Sequence, residues 1–319
     1  MKEYKSDVAV IGAGPAGLTA AIYAARAGLS VTVFDGNGTG GQMLLAHEIE
    51  NYAGFKKISG MELSDVMTAQ AQALGADITF SSVLSVSPND GAFSVTSDGG
   101  VSAHRAVILA TGTSRRKLSV PGEEEFIGRG VSYCAVCDGR FFTGKDVVVV
   151  GGGNTAVGDA LYLSKICKSV TLIHRRDSFR ADQILVERLN ACENVKTIMQ
   201  ARVEKITGNF RVESAQILCN GKDTLPSPMI LPTDGVFVAV GSVPTLPSLE
   251  AFSSLAKDQS GYLITDERCQ TTIPGLYAAG DVRAKTLRQI ATASADGAIA
   301  AVEASEFLVS HPKNKGTAV

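Results

Sequence analysis

Residues 7–35 read DVAVIGAGPAGLTAAIYAARAGLSVTVFD, and residues 146–174 read DVVVVGGGNTAVGDALYLSKICKSVTLIH. The two stretches align position for position, without a gap. Asp7 matches Asp146, Gly12 matches Gly151, Gly14 matches Gly153, and Tyr23 matches Tyr162. Each copy reads as a buried strand, a Gly-rich turn, an amphipathic helix and a second strand. That is the βαβ dinucleotide fingerprint, present twice in one chain. The expected fold class is therefore α/β, with two doubly wound, Rossmann-like dinucleotide-binding domains.

The glycines follow from what such a turn must do. The first permits a tight bend out of the strand, the second lets backbone approach a pyrophosphate, and the third lets helix and strand pack closely. Gly12, Gly14 and Gly17 hold these places in the first copy, and Gly151, Gly153 and Ala156 hold them in the second. Phosphate then sits at the helix N-terminus, where free N–H groups and the macrodipole favour an anion. Pro15 and Ala16 in one copy, and Asn154 and Thr155 in the other, belong to the same candidate cradles.

The ends of the copies differ. The first closes on Asp35, a carboxylate able to accept hydrogen bonds from an adenosine ribose. The aligned position in the second is His174, followed by Arg175, Arg176 and Arg180. A cationic cluster at that point suits a ribose carrying a 2′-phosphate, because Arg forks match phosphate geometry. The first unit is expected to bind a dinucleotide with a free ribose and the second NADP(H). FAD and NADPH held together form a hydride relay. Residues 106–112 (AVILATG) and 271–281 (TTIPGLYAAGD) read as strands ending in Gly turns, and residues 292–308 as a helix. Ala110, Thr111, Gly112, Gly280 and Asp281 then fall where strand ends would meet the flavin nucleotide.

Composition bounds the rest. The chain has 319 residues, 45% hydrophobic and 19% charged, which excludes wholesale disorder. Lys+Arg total 30 against 32 Asp+Glu, a balance unsuited to a general nucleic-acid binder. Residues 8–25 carry no charge, but three glycines and a proline interrupt them, so a membrane span is not expected. MKEYKSD at the N-terminus shows no signal peptide. Six cysteines at this length do not form a secreted disulfide framework, so a reducing cytoplasm is expected.

Cys134-Ala135-Val136-Cys137 is the reactive-looking element. This spacing allows a short disulfide that opens and closes, and such motifs often lower one thiol's pKa. Zinc would need a second close pair, which neither Cys167, Cys192, Cys219 and Cys269 nor the scattered His47, His104, His174 and His311 supply. No metal site is expected, and the other four cysteines read as ordinary buried or half-buried residues. Gly139 to Lys145 imitates the start of a P-loop, but Asp146 follows in place of Ser or Thr and opens a strand, so nucleotide hydrolysis is set aside.

With these motifs in hand, the sequence resembles low-molecular-weight thioredoxin reductase. The resemblance rests on GAGPAG (12–17), GGQ (40–42), ATG (110–112), CAVCDG (134–139), GGGNTA (151–156), HRRDSFR (174–180), AAGD (278–281) and RQIATA (288–293). It runs through the chain in order, apart from the C-terminal tail. The resemblance implies a FAD domain built from residues 1–115 and 245–319. A NADPH domain, residues 116–244, would be inserted between them and carry the dithiol. It implies non-covalent FAD contacts from Gly41, Gln42, Asn51, Arg288, Gln289 and Ile290 beside those above. It further implies homodimers, electron flow from NADPH through FAD to a Cys134–Cys137 disulfide, and thioredoxin as the protein substrate. Cys137 would lie against the flavin, Cys134 would attack the partner, and Asp138 would serve as acid and base. The inserted domain would rotate between half-reactions about hinges near 113–120 and 240–247. Two positions depart from the family pattern: Gly158, where an acid is usual, and Thr245, where Asn is usual. No thioredoxin-like domain precedes the first βαβ unit, which argues against the longer alkyl hydroperoxide reductase flavoprotein.

Three other readings stay open at this level. A ferredoxin-driven relative would keep the dithiol but not need HRRDSFR. A flavoprotein could reduce a different dithiol protein, since partner surfaces leave no motif. A non-enzymatic dinucleotide-sensing protein would need no CxxC.

Overall fold

The first copy of the repeat folds as strand Ser6–Ile11, helix Pro15–Arg26 and strand Val31–Phe34. The computed structural model describes residues 5–46, 49–219 and 228–312, and the side chains of Leu45 and Cys137 lie outside that description, as does His47. Two compact units make up the chain: Met1–Ser114 with Val243–Val319, and Arg115–Ser242.

In the first unit, Ser6–Ile11 lies parallel between Val31–Phe34 and Gly100–Leu109. Asp77–Thr79 extends the sheet on one side, and Leu276–Ala278 pairs with Val107 to Leu109 on the other. The other half of Gly100–Leu109 pairs antiparallel with Ala92–Ser97, which continues to Val83–Asn89. Val8, Ala9 and Val10 are wholly buried because both sheet faces are covered, which explains their unbroken apolar run. Pro15 occupies the first turn of its helix, where its missing N–H costs nothing. The C-terminal helix Ile290–Ser310 packs against this helix through small residues, Ala300, Ala301 and Ala304 joining Ala20, Ala21 and Ala24 in one core. A methyl at Gly297 would stand 3.0 Å from the carbonyl carbon of Ala16 and 3.1 Å from Ala20 N, so the approach of the two helices requires glycine there.

The second unit repeats the plan. Its five-stranded parallel sheet runs in the order Val195–Ile198, Ser169–Ile173, Asp146–Gly151, Gly235–Ala239, Val131–Ser132. Helix Asn154–Ser164 joins the second copy's two strands. An antiparallel sheet of Ala201–Gly208, Val212–Cys219 and Met229–Pro232 packs beside it. Residues Gly139–Phe142 form a short 3-10 turn, and Asp146 begins a strand, so no P-loop geometry exists there.

In both sheets the strand order reverses beside the first strand of the fingerprint, at Gly100–Leu109 in one and Gly235–Ala239 in the other. Ligand crevices in such sheets open at the carboxyl ends of the strands at that reversal. Residues 8–25 divide into a strand and a helix, and among the described residues no helix is long and apolar enough to cross a membrane.

Candidate functional site

The first unit holds a cavity of about 630 Å³ at its reversal point, within the range of cofactor sites. Gly12, Gly14, Pro15, Ala16, Asp35, Gly41, Gln42, Ala110, Thr111, Gly112, Gly280, Asp281, Arg288, Gln289 and Ile290 all line it. Gly12 has φ 104° and lies so close to the Ala110 carbonyl that no side chain fits. Gly17 is packed against the Gly12 carbonyl and does not face the cavity, the place expected of a third glycine. Gly14, the helix N-cap, faces open space. Asp35 accepts from Ala13 N at 2.8 Å and from Asn37 N at 2.9 Å, which ties the Gly-rich turn to the end of the second strand. A carboxylate has about four acceptor positions, so these two bonds leave capacity for a ligand at a residue that lines the cavity. Asn51 does not line the cavity; it donates to Gln289 Oε1 at 3.0 Å, behind the wall. Gln42 donates to Thr113 O at 2.6 Å. Thr245 also lines the cavity: its N–H donates to Gly112 O at 3.0 Å, and its carbonyl accepts from the Thr111 hydroxyl.

Asp281 carries the strongest sign of a ligand. Its Oδ1 is buried with no hydrogen-bond partner, and the nearest ammonium, Lys285 Nζ, stands 3.7 Å away. Burial raises its pKa above the usual carboxylate range, against the pull of Lys285 and Arg288. Arg288 stacks over Tyr262 at 4.1 Å and donates to the Asp281 carbonyl at 3.4 Å. Asp296, on the C-terminal helix, holds this corner. It accepts from Gly280 N at 3.0 Å, Arg283 Nη1 at 2.6 Å and Lys285 Nζ at 2.9 Å. An open helix N-terminus and an unsatisfied buried acceptor fit a dinucleotide with hydroxyls to donate, as FAD has.

The second unit has its own cavity, about 660 Å³, lined by Gly151, Gly152, Gly153, Thr155, His174, Arg175 and Arg180. Arg116, Lys117, Leu118, Ser119, Val120, Arg202 and Glu204 also belong to its wall; the sequence singled out residues 113–120 as a candidate hinge but none of these seven as a binding residue. The cationic rim fits a phosphorylated nucleotide. His174 lines the cavity but is not one of its cations. It is 4% exposed, its ring stacks on Phe179 at 5.7 Å, and it lies against Gly152 with no room for a side chain between. Burial pushes its pKa down, and Arg180, Arg176 and Arg175 push the same way. Arg176 does not line the cavity, and its carbonyl accepts from Gln200 N at 2.9 Å. Asn154 also lies off the wall, where its side chain exchanges two hydrogen bonds with Asp182, at 2.7 and 2.9 Å. Ala156 is wholly buried in the core behind the turn. Gly158 faces open space on its helix.

Cys134 is disulfide-bonded. Cys137 belongs to the four-residue helix Ala135–Asp138. Cys134 N donates to Ser132 Oγ at 3.0 Å, and that hydroxyl donates to Asp138 Oδ2 at 2.6 Å. Asp138 N in turn donates to Cys134 O at 3.1 Å. Ser132 was not flagged by any sequence pattern, and it joins the cystine backbone to the expected acid. The remaining cysteines, Cys167, Cys192, Cys219 and Cys269, are free. Burial pushes the Cys167 thiol up to about 11 and Cys269 to about 12, so both stay protonated and unreactive. Among the described residues, no cluster of three or more His, Cys, Asp or Glu could hold a metal.

Two dinucleotide-type cavities and a cystine in one chain define a class of redox enzyme. The family model for pyridine nucleotide-disulphide oxidoreductases matches residues 6–297. A thioredoxin reductase of Listeria innocua is 46% identical over 303 residues, 95% of this chain and 93% of that protein. A bifunctional thioredoxin reductase/thioredoxin of Mycobacterium leprae is 42% identical over 314 residues, 97% of this chain and 67% of that protein. The crystal structure of Lactococcus lactis thioredoxin reductase matches with a TM-score of 0.83 at 40% identity, covering 96% of this chain and all of that one. The chain belongs to the pyridine nucleotide-disulphide oxidoreductases and, among them, to the thioredoxin reductases.

Proposed function

We propose that this protein carries electrons from NADPH, through FAD, to a Cys134–Cys137 disulfide and on to thioredoxin. The observation that carries the reading is the pairing, within one unit, of a disulfide-bonded Cys134 with a nucleotide cavity rimmed by Arg175 and Arg180. FAD occupies the cavity of the first unit and NADPH that of the second. Bound FAD supplies a two-electron relay between a nicotinamide and a disulfide. The chain's own residues do the rest. In the reduced enzyme, Cys134 attacks the thioredoxin disulfide, forming one S–S bond as the other thioredoxin sulfur leaves as a thiolate. Asp138 delivers the proton that the leaving sulfur takes up, with Ser132 fixing the carboxyl. Cys137 then attacks Cys134, which re-forms the enzyme disulfide and frees the reduced partner. The enzyme works in the cytoplasm as a homodimer, without nucleic acid or membrane. A ferredoxin-driven relative would have no use for Arg175 and Arg180.

Anaerobic titration of the yellow protein with NADPH and NADH, followed by thioredoxin, tests the reading. NADPH should be preferred more than tenfold in kcat/KM, since charged hydrogen bonds contribute about 1.5–3 kcal/mol each. Equal use of the two nucleotides, or no transfer to thioredoxin, would reject it.

A further inference from the structure

Glu123 is a carboxylic side chain only 1% exposed, and it belongs to neither the cystine nor the lining of the nucleotide cavity. Buried carboxylates are tolerated only when donors satisfy them. Three donors do so here. Glu123 Oε1 accepts from Leu118 N at 2.7 Å and from the Tyr133 hydroxyl at 2.8 Å, and Oε2 accepts from Ser119 N at 2.6 Å. Its own N–H donates to Val120 O at 3.1 Å, closing the turn.

The two sets of donors belong to different functional segments. Leu118, Ser119 and Val120 form part of the cavity wall. Ser119 has φ 59°, a left-handed conformation that a non-glycine residue adopts only when its surroundings enforce it. The hydrogen bond that Ser119 N donates to Glu123 Oε2 holds the backbone in this turn. Tyr133 immediately precedes Cys134. Burial raises the Tyr133 pKa, and the Glu123 carboxylate raises it further, so the phenol keeps the proton it donates. One oxygen, Oε1, thus serves both the wall and the cystine segment.

We propose that Glu123 is a positioning residue that couples nucleotide binding in the second unit to the state of the Cys134 disulfide. The proposal rests on the reading of that cavity as the NADPH site. A displacement of Leu118 and Ser119 toward a bound nucleotide changes the geometry at Oε1, and Tyr133 carries the change to Cys134. Opening the disulfide acts on the wall in return, because such coupling is reciprocal.

The test uses the full-length FAD-loaded protein. NADP⁺ affinity is measured by anaerobic calorimetry with the disulfide closed and again after its reduction by dithiothreitol. Wild type should show Kd values that differ by roughly fivefold between the two states, the lower end of typical allosteric coupling. Tyr133→Phe should abolish that difference while leaving Kd for the closed form within about twofold of wild type. Glu123→Gln should abolish it too and weaken NADP⁺ in both states, because an amide cannot accept at both ends. Equal wild-type affinities in the two states would overturn the coupling. So would a difference that survives Tyr133→Phe, which would leave Glu123 a structural support for the wall alone. Should Glu123→Gln fail to fold, Tyr133→Phe decides. A wild-type protein that binds no NADP⁺ in either state would instead reject the NADPH reading, and the coupling with it.

Discussion

The cysteines whose side chains are described separate into two chemical kinds, one in a disulfide and four free. Cys134 is in a disulfide at the start of a short helix, with a serine hydroxyl and a carboxylate linked through its backbone. Cys167 and Cys269 are buried thiols held far above neutral pH. Cys134→Ser and Cys137→Ser should each lose thioredoxin turnover almost completely but still let NADPH reduce the flavin. Cys137→Ser alone should trap thioredoxin as a mixed disulfide on Cys134, visible by non-reducing electrophoresis. A trap that formed only through Cys137 would reverse the two roles. Asp281 offers a second test. Its raised pKa means that its ionised form is held at a cost in the protein without cofactor. Asp281→Asn should therefore leave the Tm of FAD-free protein at neutral pH unchanged or higher. The same change should weaken FAD about tenfold or more, the loss of one charged hydrogen bond. A lower Tm with unchanged FAD affinity, read by flavin fluorescence, would make Asp281 structural.

At the scale of elements, the strand Gly100–Leu109 carries a titratable group at its bend from one partner strand to the other. His104 is wholly buried between Ser6 Oγ, 2.8 Å from Nδ1, and Ser102 Oγ, 2.9 Å from Nε2. Burial pushes its pKa down to about 4, and the charge of Lys5 adds to the effect. The unfolded chain binds this proton near pH 6.5 while the folded chain refuses it. Stability from this residue is therefore full above pH 6.5 and falls as pH drops toward 4, by about 3 kcal/mol in all. Urea unfolding at pH 7 and pH 4.5 should show this loss, and His104→Gln should remove most of it. The elements themselves were legible. Both βαβ units were readable because Gly spacing and unbroken apolar runs are imposed by a sheet covered on both faces. Side-chain roles were less so. His174 reads as a cation by its position among arginines, but tertiary packing against Gly152 and Phe179 makes it a neutral wall. Glu123 sits in the acidic run GEEEF, where no motif or spacing sets it apart from Glu124 and Glu125. Its partners Leu118, Ser119 and Tyr133 are brought to it by folding, not by any spacing.

At the scale of the molecule, the chain leaves the first unit once and returns once. Arg116 N donates to Gly241 O at 2.9 Å, so the second unit's two ends lie side by side. That unit has its own cores, around Phe142, Val149, Leu163 and Phe237 on one face of its sheet and Val148, Val150 and Val236 on the other. Residues 115–242 expressed alone should fold with a single cooperative transition and bind NADP⁺ within a few-fold of the full protein. Non-cooperative melting, followed by circular dichroism, would show that its core is incomplete.

The matching feature on the other side is the bond from Thr245 N to Gly112 O, at 3.0 Å. It places the cut ends of the first unit a single ladder rung apart, the spacing that a two-residue hairpin turn closes. Joining residue 112 to residue 245 through Asn-Gly would turn a discontinuous host into a continuous miniature flavoprotein, with the cystine and the cavity proposed for NADPH deleted together. The guest segment is then exchangeable: any domain whose termini are equally close could be spliced into the same gap without altering the loop closure of its host.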